Sequence, residues 1–308
     1  MPSRRKFLKL SLSGTALALG GWGAFSSKID TVALELTRLD LEIADLAPEF
    51  KGYRIAFISD IHLGPFVSNE LVIAAVELIN SNCADMFLLG GDFINLPLAF
   101  DRRFFWFVRN RDFSNPKDPK LIHRIYDRLG EILGQAKCPD GIYGVYGNHD
   151  RWFAPRTCAS SLKRHNIRLL VNEAARIERG GCKLKIIGVD DYWSGFPSLS
   201  WESPRKALNE TRILLAHNPD YISKVLEKTG FEFDLGLAGH THGGQIRIPP
   251  LGSLLHNIAD PRLNSGLFQH KRAKIYTTRG IGVVELPLRI NCPPEVCLFV
   301  LHPQNGNE

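Results

Sequence analysis

Polar and apolar residues alternate over residues 31–43, where Val32, Leu34 and Leu36 are followed by Leu39, Leu41 and Ile43. This is the period of a two-faced edge strand, and Pro48 terminates it. A helical period comes next: apolar side chains at 71, 72, 75, 76 and 79 form one stripe over residues 69–80, capped by Ser68 or Asn69. That helix makes the crossover between two short apolar runs, 54–59 and 87–91, as neighbouring parallel strands require. Residues 121–133 repeat the helical stripe and stop at Gly134, and 157–165 read as another helix. Residues 169–171, 184–187 and 213–216 read as strands, with a helix over 219–228. Phe233, Leu235 and Leu237 form a buried strand that stops at Gly239, with Gly236 and Ala238 small and outward. A long loop, 249–272, reads as part of a substrate rim. Strands 275–277 and 296–301 then close a second sheet.

Five of these apolar runs end on residues able to bind a metal ion. Residues 54–59 lead into Asp60-Ile61-His62, 87–91 into Asp92, and 142–147 into Asn148-His149-Asp150. Residues 213–216 lead into His217, and the 233–237 run into His240-Thr241-His242. Ligands at the carboxyl ends of strands are the usual arrangement of open α/β sheets. Extended backbone from His240 to His242 would point both imidazoles the same way and converge them on one point. Imidazole suits Zn, Mn or Fe.

In this order the motifs Asp60-Ile-His62, Gly91-Asp92, Gly147-Asn148-His149-Asp150, His217 and Gly239-His240-Thr-His242 resemble those of the calcineurin-like metallophosphoesterases, over residues 50–302. Gly239-His-Thr-His-Gly-Gly-Gln245 and Thr278-Arg-Gly-Ile-Gly282 look like a bacterial exported or membrane-bound subgroup. Some members of that subgroup hydrolyse UDP-2,3-diacylglucosamine. The resemblance implies an α/β fold, a four-layer α/β/β/α sandwich of two mixed sheets flanked by helices. It implies two divalent metal ions (Mn, Fe or Zn), one held by Asp60, His62 and His242, the other by Asn148, His217 and His240, with Asp92 bridging. His149 is left as the general acid that protonates the leaving oxygen, and Asp150 either orients it or caps the following turn. Two ions roughly 3.5–4 Å apart make hydroxide from water and clamp the phosphoryl oxygens. The implied activity is hydrolysis of a phosphodiester or pyrophosphate. Alternatives are the UDP-2,3-diacylglucosamine pyrophosphatase of lipid A synthesis and a non-catalytic metal-binding relative, which the complete ligand set disfavours.

The N-terminus adds a location. Arg4-Arg5 stands before Phe7-Leu8-Lys9 and an uncharged stretch, residues 10–27. This has the shape of an export signal resembling the twin-arginine class, or of an uncleaved membrane anchor. The twin-arginine machinery carries folded proteins, so that route would let metals be loaded first. The chain of 308 residues thus divides into residues 1–30, a signal or anchor, and 31–308, one catalytic domain in the cell envelope. A net charge of +6 favours anionic substrates or an anionic membrane surface, and its dispersal excludes a nucleic-acid footprint.

Other features add less. Residues 93–113 interleave seven aromatics with Arg102, Arg103, Arg109 and Arg111, reading either as a membrane or lipid-tail contact or as a core insertion. Arg151 and Trp152 stand beside the site, and Asp190-Asp191 read as a solvated turn. None of the six cysteines reads as a ligand, and Cys292 and Cys297 could bridge in an oxidising compartment.

Overall fold

The computed structural model describes residues 34–96, 118–250, 252–253 and 257–304. The first sheet draws on β1 (Glu35–Ile43), β2 (Arg54–Ile58), β3 (Met86–Leu89), β4 (Ile142–Gly144) and β5 (Ile167–Leu169), with helices α1 (Asn69–Ser81), α2 (Pro119–Leu133), α3 (Asn148–Phe153) and α4 (Pro155–Arg164) between them. The second draws on β6 (Glu173–Arg179), β7 (Cys182–Gly188), β8 (Glu210–Leu215), β9 (Leu235–Ala238), β12 (Gly266–His270) and β13 (Ala273–Thr277), with α5 (Pro219–Lys228) after β8. A two-stranded ribbon, β10 (Arg247–Ile248) and β11 (Gly252–Ser253), stands apart, and β14 (Glu295–Pro303) closes the chain. Sheet orders are β1-β14-β2-β3-β4-β5 and β12-β13-β9-β8-β7-β6.

Every central strand is buried on both faces, so alternate residues serve different layers. Ile55 and Phe57 of β2 face the second sheet and meet Ile213, Leu215, Leu235 and Leu237. Ala56 and Ile58 face the other way, against α1, α2 and α4. On the far side Leu214, Ala238 and Ile275 pack on Tyr221, Ile222 and Val225 of α5. The four-layer α/β/β/α sandwich follows from these three cores. Helix ends match the sequence signals: Ser68 accepts from the Leu71 N–H, and Gly134 ends α2.

Three sequence expectations change. Strand β14 lies in the first sheet, not the second, parallel to β1 and antiparallel to β2. Non-local pairing decides its place, and periodicity carries no record of it. Strand β6, missed in the sequence, is an edge strand of mostly half-exposed residues, and the left-handed Gly180-Gly181 turn that joins it to β7 was its one available signal. The 249–272 loop holds a ribbon strand, a short 3-10 turn and the edge strand β12. No helix among the described residues is long and apolar enough to cross a membrane, and residues 1–33 and most of the 93–113 segment lie outside them.

Arg212 of β8 is the largest fully buried side chain among the described residues. Its guanidinium pairs with Glu210, lies 3.6 Å from Glu202, and donates to the carbonyls of Ser203 and Arg205 at 2.8 Å each. Lys185 answers the same two glutamates, so the 202–206 segment is strapped across the second sheet by a satisfied ionic cluster. Arg212→Met leaves the two carboxylates buried with one cation fewer. Urea unfolding should show a loss of about 3–5 kcal/mol.

Candidate metal centre

All strands that deliver candidate ligands end at one edge of the sandwich. Asp60 and His62 follow β2, Asp92 follows β3, Asn148 and His149 open α3 after β4, His217 follows β8, and His240 and His242 follow β9. Asp60, His62, Asp92, His240 and His242 all have positive φ, between 49° and 71°. Each costs about 1–3 kcal/mol, a strain that clusters at functional sites. The turns are crowded: a Cβ on Gly239 would sit 2.0 Å from Ser59 Oγ and 2.3 Å from Asp60 Oδ2, and one on Gly147 would sit 2.1 Å from Asp92 Oδ1.

The backbone from His240 to His242 is therefore not extended, and the two imidazoles do not meet at one point. His242 turns to a first group, with its Nε2 3.0 Å from His62 Nε2 and 3.6 Å from Asp60 Oδ1. His240 turns to a second, with its Nδ1 3.1 Å from Asn148 Oδ1 and 3.3 Å from His217 Nε2. Asp92 Oδ2 reaches both, 3.5 Å from His62 Nε2 and 3.4 Å from His217 Nε2. His149 lies alongside, grouped with His62 and Asp92, its ring 4.7 Å from that of His62. All eight sequence candidates thus come together. Ligands about 2.1 Å from a shared cation lie about 3.0 Å apart in an octahedron and about 3.4 Å apart in a tetrahedron. The observed spacings fit that description.

The electrostatics fit it as well. Burial holds His62 and His242 well below the usual imidazole range and brings His240 down to about 3, so all three are neutral and offer lone pairs. Burial opposes a charge on Asp92, but His217 and His149 facing it hold it well below the carboxylate range. Burial likewise opposes charge on His217, yet Asp92, Asp60 and Asp191 together push it up to about 10. Its Nδ1 lies 2.8 Å from the Gly90 carbonyl, which fixes that nitrogen as the donor. Nε2 is then the position where a proton, or a cation in its stead, answers the carboxylates.

Of the two roles expected of Asp150, the structure shows the cap, with its carboxylate on the Gly147 N–H at the start of α3, and not an orienting contact to the His149 ring. Its carboxylate accepts from the backbone N–H groups of Asp92 at 2.8 Å, Gly147 at 2.9 Å and Phe93 at 3.0 Å, and from Tyr126 Oη at 3.2 Å. Burial and Asp92 push it up to about 7, while these four donors favour the carboxylate. Asp190 and Asp191 are buried, not solvated: Asp190 pairs with Arg151, and Asp191 accepts from Trp193 and Ser194 N–H groups. Sequence reasoning also missed Arg289, a buried arginine that donates to the Gly282 and Arg279 carbonyls and lies 3.4 Å from His242 Nδ1. No motif marks it. Cys292 and Cys297 are free, Cys292 against the His242 carbonyl and Cys297 beside Thr278.

Apolar walls rise above the ligands. Phe66, Leu96, Trp152, Phe153, Trp193 and Val284 line the crevice. The Trp152 ring lies 4.9 Å from His149, and Trp193 stands edge-on to His240 at 4.2 Å. Among the described residues no lysine or arginine lines it, and Asp92 and Glu285 are its two acidic side chains.

Two outcomes follow. Gly239→Ala forces Asp60 out of place, and bound metal by plasma mass spectrometry should fall by about tenfold or more with the circular dichroism of the fold retained. Asp150→Asn turns an amide donor toward backbone N–H groups, and urea unfolding should show a loss of about 3 kcal/mol.

The calcineurin-like phosphoesterase family profile matches residues 53–244. "Phosphodiesterase YaeI" of Escherichia coli is 31% identical over 98% of this chain and 100% of its own. "Uncharacterized metallophosphoesterase YkuE" of Bacillus subtilis is 27% identical over 98% and 99% of the two chains. "UDP-2,3-diacylglucosamine pyrophosphatase LpxG" of Chlamydia muridarum is 24% identical over 89% and 91%. With its ligand-bearing strand ends in the matched span, this chain belongs to the calcineurin-like phosphoesterases, a family of metal-dependent phosphoester hydrolases.

Proposed function

We propose that the protein is a dinuclear-metal phosphodiesterase of the cell envelope, acting on a diester or pyrophosphate rather than a phosphate monoester. One observation carries the preference: Phe66, Leu96, Trp152, Phe153, Trp193 and Val284 make the described crevice walls largely apolar. A diester brings one negative charge and two organic arms for such walls to hold, whereas a monoester brings a dianionic end and a single arm. When bound, two divalent cations neutralise the phosphoryl oxygens and lower the pKa of water. Asp60, His62 and His242 would hold one, Asn148, His217 and His240 the other. Asp92 belongs to both groups, and its Oδ1 accepts from the His149 backbone N–H at 2.9 Å, so carboxylate and acid move as one unit. His149 is held between the rings of His62 and Trp152 and donates its proton to the leaving oxygen.

The support for an envelope location is Arg4-Arg5 followed by the uncharged stretch 10–27. A second reading, hydrolysis of a nucleotide-lipid pyrophosphate, is favoured by Trp152 and Trp193 on the crevice walls, which offer flat apolar faces to a base or an acyl chain.

Full-length, Mn-loaded protein should hydrolyse bis(p-nitrophenyl) phosphate about tenfold or more faster than p-nitrophenyl phosphate, a difference of ~1.4 kcal/mol in barrier. Asp92→Ala should lose both metal and turnover. His149→Ala should keep the metal and lose about 10²–10⁴ in kcat. A faster monoester rate, or full activity in either variant, overturns the reading. Release of UMP from UDP-2,3-diacylglucosamine in the same assay selects the pyrophosphatase.

A further inference from the structure

The loops around the crevice share a surface feature that the chemistry does not need. Nine large apolar side chains are exposed among the described residues, and six of them sit on segments that leave the metal end of the sheets. Trp152 follows β4, Trp193 and Phe196 follow β7, Ile248 follows the His242 turn, and Leu286 and Ile290 lie between β13 and β14. Phe196 is 88% exposed and Trp152 54%. The last two loops are joined into one lip: Gln245 donates to the Leu286 carbonyl at 2.8 Å, and the Arg247 N–H to the Ile290 carbonyl at 2.9 Å. Exposed aromatic and branched apolar residues gathered round one crevice mouth are the kind of patch that marks an interaction surface.

The course of the chain says what the rim faces. Strand β1 runs parallel to β14 and β14 antiparallel to β2, so β1 begins where β2 ends, at the metal end. Contacts trace the short path: a Cβ on Gly280 would lie 2.8 Å from Asp60 Cβ, the Glu295 N–H donates to Gly280, and Arg279 pairs with Glu35 at 3.0 Å. Only six residues, 28–33, separate the uncharged stretch 10–27 from Leu34. Even fully extended they reach about 20 Å. If residues 10–27 lie in a bilayer, the metal end of the domain is the end held against it.

We propose that the mouth of the metal crevice docks on a lipid bilayer, with Trp152, Trp193, Phe196, Ile248, Leu286 and Ile290 as the inserted rim, so that a substrate enters from the membrane and not from bulk water. Trp at such a rim sits at the headgroup level, where an apolar ring with one polar edge is most favourable. A tether at residues 10–27 decides only which end of the domain faces the lipid, and the rim is what would bring the crevice mouth itself into contact with it. The docking does not rest on the substrate reading, because its test needs no turnover.

The test is photolabelling. Full-length protein on phosphatidylglycerol–phosphatidylcholine vesicles containing a phospholipid with a diazirine in its acyl chain is irradiated, and the adducts are mapped by mass spectrometry. Adducts are expected in the 193–196 and 286–290 loops as well as in 10–27, and equally in the metal-deficient Asp92→Ala protein. Phe196→Asp combined with Ile290→Asp, neither of which lines the crevice, should lower labelling of both loops by about fivefold or more while leaving hydrolysis of the soluble diester within about twofold. Adducts confined to residues before 34, adducts on the opposite end around Leu208, or no vesicle binding at all would overturn the proposal.

Discussion

The carboxylate of Asp150 gathers the N–H groups of Asp92, Phe93 and Gly147 with the hydroxyl of Tyr126, and the position of Asp92 depends on that convergence. It joins the loop after β3 to the start of α3, two segments 58 residues apart, and pins the backbone on either side of the bridging candidate. An unpaired carboxylate at such depth would be strongly unfavourable, so the charge that organises the loops also requires them. Asp92 then links the two groups of nitrogens, and its second oxygen takes the N–H of His149. One buried carboxyl group thereby sets the place of a shared ligand, an acid and the first turn of a helix.

The strain in these loops has its counterweight in the layers beneath. Five candidate ligands adopt left-handed backbone, a total of several kcal/mol at about 1–3 kcal/mol each. The three cores under them, with strands buried on both faces, hold the turns in conformations the residues would not choose alone. Crowding leaves no relaxed alternative at Gly147 and Gly239, where even a methyl group collides with a carboxylate.

Much of this could be read in the sequence, for a physical reason. Helices α1, α2 and α5 announce themselves because their stripes, caps and stops are local, and the ligands because each stands where an apolar run ends. What escaped is what depends on distant partners. The edge strand β6 buries too little to show a period, and β14 finds its slot only through β1 and β2. The pairing of His240 with Asn148 and His217, and of His242 with His62, agrees with the family pattern but not with the extended backbone that the spacing suggested. Arg289, and the bonds of Asp150 to Asp92, Phe93 and Tyr126, leave no mark in spacing, since these partners lie far apart in the chain.

Strand β14 fills the gap between β1 and β2, which leave the ribosome some 240 residues before it. Until it arrives the first sheet has an open seam through its interior, and the loop carrying Arg279, Gly280 and Arg289, which backs Asp60 and His242, has no anchor. Contacts this distant in sequence form late and close cooperatively. The backing of Asp60 and His242 therefore waits on a strand far along the chain, and before β14 has been made the histidines and aspartates lack the seam that holds them together.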